Sequence, residues 1–297
     1  MKKVLFCLSI FLFVFGLYSA KAQSIIDADE DHNFNDFYKK DQVVGREAMP
    51  YAYLREADVV WEHLVWRTID FREKFNQFFY FPTDPSKDTQ GRKNLCNVLM
   101  EAWERGDIEG YETDDMFSSQ VVDYQSQIAR LTKADTITIY DYDEYGDETA
   151  SHQQPVIEEF KPGNVYSLWM KEAWYIDKQD TRQKVRILSF ALVYNYCTER
   201  QDEDRECGPV TICWFPMNDM RVRNVLVKAL AYDERNSHAE RSYDDIFIDR
   251  YFDSFCTRES NVMNRPISDY LTGTDAILES QRIEDEIWDI ESDMWEY

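Results

Sequence analysis

Two β-branched, apolar runs close together in the chain constrain its fold more than any other feature. Val185-Arg186-Ile187-Leu188-Ser189-Phe190-Ala191-Leu192-Val193-Tyr194 has the near-continuous apolar character of a central buried strand. Val210-Thr211-Ile212-Cys213-Trp214-Phe215 follows after a charged loop that ends in Gly208-Pro209. Sequence neighbours of this kind pair as a hairpin, here with a long acidic tip carrying Asp202-Glu203-Asp204. A sheet needs a covering layer, and the flanking segments have helical periodicity. The fold class is therefore α+β: an antiparallel sheet around a long hairpin with helices packed against it, closed by a C-terminal amphipathic helix.

The flanks follow from spacing. Leu54, Ala57, Trp61, Leu64, Val65, Thr68, Phe71 and Phe75 recur at helical intervals, which predicts a helix that carries His63 and stops before Phe81-Pro82. Leu95, Val98, Leu99, Ala102 and Trp103 predict a second helix ending at Gly106. Residues 111–135 read as partly helical, and Asp135 to Tyr140 as a strand. Residues about 141–155 read as an acidic loop insertion, and Glu172 to Gln179 as a turn leading into the long strand. Helices are expected from Val222 to Ala231 and from Ser242 through Phe255. From about Thr274 onward, Ala276, Ser280, Ile283, Ile287, Ile290 and Met294 step alternately by four and three, an a/d seam. Two readings stay open for that seam. It packs on the chain's own core, or the helix is lent to a neighbouring subunit with Ile287, Trp288, Met294 and Trp295 as candidate interface residues.

The N-terminus reads as an export signal. Met1-Lys2-Lys3 is followed by an apolar run from Val4 to Tyr18 and by Ser19-Ala20-Lys21-Ala22, with cleavage expected between Ala22 and Gln23. The apolar run falls short of the roughly 20 residues of a bilayer span. Cys7 lies inside it rather than after a small-residue site, so neither direct membrane insertion nor a lipid anchor is expected. The expected organisation is a signal peptide at 1–22, an acidic arm at 23–48 and a single domain at 49–297. Removing residues 1–22 takes away Lys2, Lys3 and Lys21 and no acid, so the formal net charge of −24 becomes −27. A field of that sign repels nucleic acid and anionic lipid headgroups and leaves basic protein surfaces as the compatible partners.

Cys96, Cys197, Cys207, Cys213 and Cys256 remain after processing, an odd number. Cys197–Cys213 is the candidate disulfide; the alternative is that all five are small buried apolar residues. Signatures of chemistry are mostly missing. The sequence has no G-x-S-x-G, no H-E-x-x-H, no C-x-x-C and neither glycine-rich phosphate loop. No catalytic residue, metal or cofactor is therefore expected. Asp141-x-Asp143-x-Tyr145-Gly146 has half an EF-hand loop, but Tyr145 and His152 stand where ligands belong. Two function classes besides assembly stay in view: a carboxylate-dependent glycoside hydrolase, since 57 acids leave many pairs to draw on, and a calcium-stabilised binding module.

Long runs of the chain resemble the GldN (PorN) family. Lys171-Glu172-Ala173-Trp174 to Asp177-Lys178-Gln179, then Val185-Arg186-Ile187, are similar to its "KE-W-x-x-DKQ … RI" stretch. Trp214-Phe215-Pro216 with Arg221 resembles its next strand and exit. Asp244-Asp245-Ile246-Phe247 with Arg250-Tyr251-Phe252-Asp253-Ser254 resembles "DD-x-F-x-x-R-x-F-x-S". Glu259-Ser260-Asn261-Val262-Met263-Asn264-Arg265 resembles "ESNVYDR", departing at Met263 and Asn264. Pro50-Tyr51-Ala52-Tyr53-Leu54-Arg55-Glu56-Ala57-Asp58-Val59 resembles the family's opening. The resemblance implies a periplasmic ring subunit of the type IX secretion and gliding-motility machinery, associated with the outer membrane through a GldK/PorK-like lipoprotein. It also implies contact with the periplasmic region of a GldM/PorM-like inner-membrane motor component, and it carries over no catalytic residues.

Overall fold

The computed structural model describes residues 46–295 except 84–90, 117, 143–147, 159, 181, 200–204 and 237; of 133–142, 148–158, 196–199, 205–207 and 295 it describes the backbone alone. The signal peptide, its Ala22–Gln23 junction and all of the acidic arm before Arg46 lie outside the described residues. Arg46–Tyr297 is one compact unit, distinct from Met1–Gly45.

In chain order the elements are β1 (Val59–Asp70), α1 (Gln77–Tyr80), α2 (Leu95–Glu104), β2 (Gly110–Tyr111), β3 (Val121–Val122), α3 (Tyr124–Leu131), β4 (Lys133–Tyr142), β5 (Glu148–Glu158), β6 (Val165–Asp177), β7 (Gln183–Glu199), β8 (Arg205–Pro216), α4 (Met220–Lys228), α5 (Tyr243–Ile248), β9 (Phe255–Glu259) and α6 (Thr274–Trp295). Seven strands form one sheet in the order β3-β2-β8-β7-β6-β1-β9, and β4 pairs with β5 alone. Every pairing is antiparallel. The predicted α+β class holds, with the β7–β8 hairpin inside the main sheet.

Four expectations are corrected. Residues 59–70 form β1 and not a helix, held between β6 and β9. The acidic segment taken as a loop supplies β5, which pairs with β4 from Lys133↔Glu158 onward; Asp143 to Asp147 lie outside the described residues. Of the expected 172–179 turn, Glu172 to Asp177 are the end of β6, which pairs with both β1 and β7, and only Lys178 and Gln179 belong to a turn leading into β7. The helix expected through Phe255 stops at Ile248, and Phe255 opens β9.

Cross-strand register defines the two faces of the sheet. Ile69↔Leu168, Arg67↔Met170 and Val65↔Glu172 share one face, and Leu168↔Leu192 and Met170↔Phe190 extend it to β7. Two bulges adapt this face to its load. The first places Leu188 as the extra residue of β7 between Phe190 and Ile187, which are both in the core. The second, on β8, sets both Ile212 and Cys213 into the core opposite Leu192. Gln127 of α3 donates to the Ile212 carbonyl at the second bulge, 2.6 Å.

The helices over this face start on side-chain caps. Asn94 accepts from the amide of Asn97 before α2, and Asp123 accepts from Ser126 before α3. Asp219 caps α4, and Ser242 with Asp245 forms a capping box on α5. Gly106 ends α2 with φ +78, as its position predicts. Gly110 has a steric role: a Cβ there would meet Trp103 and Cys213 at 3.1 Å, so a larger residue would press α2 and β8 apart by a few tenths of an ångström.

Buried apolar residues fall into two clusters. The large one joins Leu168, Met170, Phe190 and Phe215 of the sheet to Leu99, Trp103, Leu226 and Phe247 of the helices. The small one holds Val65, Trp174, Cys256, Ile267, Ile283 and Ile287 under α6.

Candidate interaction surfaces

Charged side chains lie between and beside the two clusters. Glu172 is fully buried on the sheet; it accepts from Arg250 Nη1 at 2.5 Å and from Trp174 Nε1 at 3.2 Å. Arg250 sits at φ +51, the left-handed position that ends α5, where glycine is usual. Its guanidinium lies 5.3 Å from the ring centres of both Trp174 and Phe252. Arg67 donates to Ser254 Oγ and the Ser254 carbonyl, and reaches Glu284 of α6 at 2.5 Å. These bonds join β1 and β6 to the segment between α5 and β9 and to α6.

A second buried pair anchors the N-terminal approach. Arg223 of α4 donates to both oxygens of Asp244, each at 2.9 Å, and to the Met49 carbonyl. Arg46 reaches Asp245, the Ala48 amide donates to Asn224 Oδ1, and Arg186 donates to the Ala52 carbonyl. Tyr51 lies between the guanidiniums of Arg223 and Arg186, 4.5 and 5.3 Å from its ring centre. Burial raises its phenol pKa. Ordered structure thus already includes Arg46 to Ala48, inside the stretch expected to be an acidic arm.

On the opposite face, Thr68↔Trp169, Trp169↔Ala191, Ala191↔Trp214 and Trp214↔Tyr111 form one row across five strands. Beside it Trp66 donates to Asp114 at 2.8 Å, with the Arg258 guanidinium 3.5 Å from its ring centre and the Lys171 ammonium at 5.3 Å. Asp114 also pairs with Lys171 and Arg258, while Arg258 Nε is buried without a hydrogen-bond partner.

Apolar side chains reach solvent at several points, Val60, Val121, Ile277 and Leu278 among them, and at two places their surroundings give them a defined shape. A groove of about 660 Å³ is lined by Phe75, Phe78, Phe81 and Tyr251, with Lys74 and Arg241 at its edge. Phe75 and Tyr251 rings are 4.8 Å apart, and the Arg241 guanidinium lies 3.9 Å from the Tyr251 centre. Asp233, also in the lining, accepts from the amides of Arg235 and Asn236 and so closes a local turn. The second place is the turn after β9. Val262 is fully exposed and Met263 is 69% exposed. Asn261 Oδ1 accepts from the amides of Met263 and Asn264, which holds the turn's shape.

The predicted interface residues divide. Ile287 is buried in the small cluster and belongs to the chain's own core, so its assignment to an interface is corrected. Trp288 is 58% exposed and touches Trp174 edge-on; Met294 is half-buried; the side chain of Trp295 lies outside the described residues. The Cys197–Cys213 bridge is not formed. Cys213 is a free, buried thiol at the β8 bulge, while the ladder sets Cys207 across from Cys197. Six residues of strand, about 20 Å, separate Cys213 from that position. Sequence reasoning missed the groove and the 262–263 turn; apolar Val262 and Met263 between Asn261 and Asn264 were the available signal.

Fold and surface together define an α+β protein that presents apolar side chains in a groove and on a turn, and whose buried charges tie its elements together. The family model described as "Gliding motility associated protein GldN" matches residues 54–296, and the chain belongs to that family. No curated protein compared with the chain matches it. Among the described residues, no three His, Cys, Asp or Glu side chains gather to hold a metal ion, and no helix is long and apolar enough to cross a membrane.

Proposed function

We propose that the mature chain is a non-enzymatic, structural subunit of a periplasmic ring in the type IX secretion and gliding-motility machinery. In this reading it binds an outer-membrane lipoprotein of the GldK/PorK kind and passes force to or from a GldM/PorM-like motor component. Membership of a gliding-motility family supports the setting. The observation that carries the structural role is the exposed aromatic groove of Phe75, Phe81 and Tyr251 together with the exposed Val262–Met263 turn, which Asn261 braces. Aromatic and arginine side chains dominate the energetics of protein interfaces, and a groove and a knob at different places suit the heterologous contacts that close rings.

Size-exclusion chromatography of residues 23–297 with and without the lipoprotein tests it. A large joint species is expected, and it should weaken when Tyr251→Ala or Val262→Asp is introduced while far-UV circular dichroism stays unchanged. Separate elution of the two proteins at every concentration would reject the role. The net charge of −27 further predicts that association slows as salt rises; an association rate that ignores salt would remove the electrostatic part.

A further inference from the structure

We propose that Cys197 and Cys207 form an intramolecular disulfide across the outer part of the β7–β8 hairpin. The ladder sets these two residues directly opposite each other, between Tyr196↔Gly208 and Thr198↔Glu206. Opposed residues of an antiparallel pair have Cα atoms about 4.5–5.5 Å apart, inside the roughly 4.4–6.8 Å that a disulfide spans.

The local architecture explains what the bridge would do. β6 accompanies β7 only as far as Val165↔Tyr194, and β2 meets β8 only at Tyr111↔Trp214. Beyond Tyr194 the hairpin extends past its neighbouring strands as a two-stranded ribbon; among the described residues, Asn195 to Glu199 pair only with Arg205 to Pro209. An isolated two-stranded ribbon is marginal in water. This one also carries Pro209, which has no amide to donate, and Gly208, which has no side chain to pack. Pro209 and Gly208 add little to the register of this ribbon, and a covalent link at Cys197 and Cys207 fixes it.

The cysteine inventory agrees. Cys96, Cys213 and Cys256 are buried free thiols in the two apolar clusters. Of the five cysteines after residue 22, that leaves one pair, and the pair is opposed. The inference rests on the export reading for its oxidant, an oxidised dithiol oxidase of the periplasm. One cysteine thiolate attacks the oxidase disulfide and gives a mixed disulfide. The second thiolate then attacks the mixed disulfide, and the oxidase leaves as a dithiol. The chain loses two protons and two electrons, and the oxidase takes up the electrons.

The test is peptide mapping of the full-length gene product recovered from whole bacterial cells, with free thiols alkylated under native conditions and again after unfolding. Trypsin cuts after Arg200 and Arg205, between the two cysteines, so the bridged peptides stay joined until reductant is added. Fragment ions distinguish Cys207 from Cys213 on the shared peptide. The expected result is a Cys197–Cys207 link, with the other three cysteines alkylated only after unfolding; the Cys207→Ser variant loses the link. A chain that begins at Gln23 yet alkylates at Cys197 or Cys207 overturns the bridge and leaves export standing, as does a link between Cys96 and Cys213 or between two copies. An unprocessed, fully reduced chain removes the export reading. The same protein treated with oxidised glutathione then decides the bridge, and failure to form the 197–207 link rejects it.

Discussion

Arg223 is 1% exposed and its partner Asp244 is 3% exposed, so each charge depends on the other for solvation. Removing one partner of such a pair strands a buried charge, at a cost of about 3–5 kcal/mol. Asp244→Ala is therefore expected to lower the urea stability of the mature chain by that amount. Arg223→Met combined with Asp244→Leu should recover much of the loss, because apolar replacements of similar volume are often neutral. Equal destabilisation in the single and double variants would show that the site does not act as an ion pair. At this scale the sequence was partly legible. Glu172, Trp174, Asp244, Arg250 and Ser254 all stand in the runs that resemble the GldN family. Their partners did not show: Asp244 finds Arg223, and Ser254 binds Arg67, 187 residues away. Pairings across such separations leave no local pattern to read.

The C-terminal helix gives the clearest case at the scale of elements. Its seam of Ser280, Ile283 and Ile287 was readable, and all three are buried. Ile283→Ala and Ile287→Ala are each expected to cost about 2–5 kcal/mol in denaturant titration, the range for truncating a buried isoleucine. Trp288→Ala should cost clearly less, since that ring is mostly in water. Equal losses at Ile287 and Trp288 would contradict the packing of α6. β1 was misread for a physical reason. Val65, Arg67 and Ile69 are buried on one face, but Trp66 and Thr68 on the other are covered too. A strand flanked on both faces loses its period of two, and its apolar residues then fit a helical template by chance. β6 was hidden in the same way: from Ala173 to Ile176 every residue is buried. The β7–β8 hairpin escaped this ambiguity because its length and β-branched content have no helical equivalent.

For the molecule as a whole, alkaline pH probes how tightly the interior closes. Burial pushes the Cys256 thiol up to about 12, and it raises Cys96, Cys213 and the Tyr243 phenol as well. Unfolding returns the thiols to roughly 8.5, so above that pH the unfolded chain sheds protons that the folded chain keeps. The folded state's raised values give stability that is complete below about 8.5 and declines as pH climbs toward 12. The urea midpoint should therefore fall between pH 8 and pH 10, and a constant midpoint would mean that these groups ionise freely in the native state.

The division of the interior into one broad apolar cluster and one small one sets an order of failure. Under load, the corner made by β9 and α6 is the weak link, because six buried side chains hold it while the rest of the sheet shares a far larger interior. Tension applied at the C-terminus would peel that corner away first and leave the long ladder between β6 and β7 clasped. A protein that passes force between neighbours would in this way have a fuse at one end and a beam at the centre.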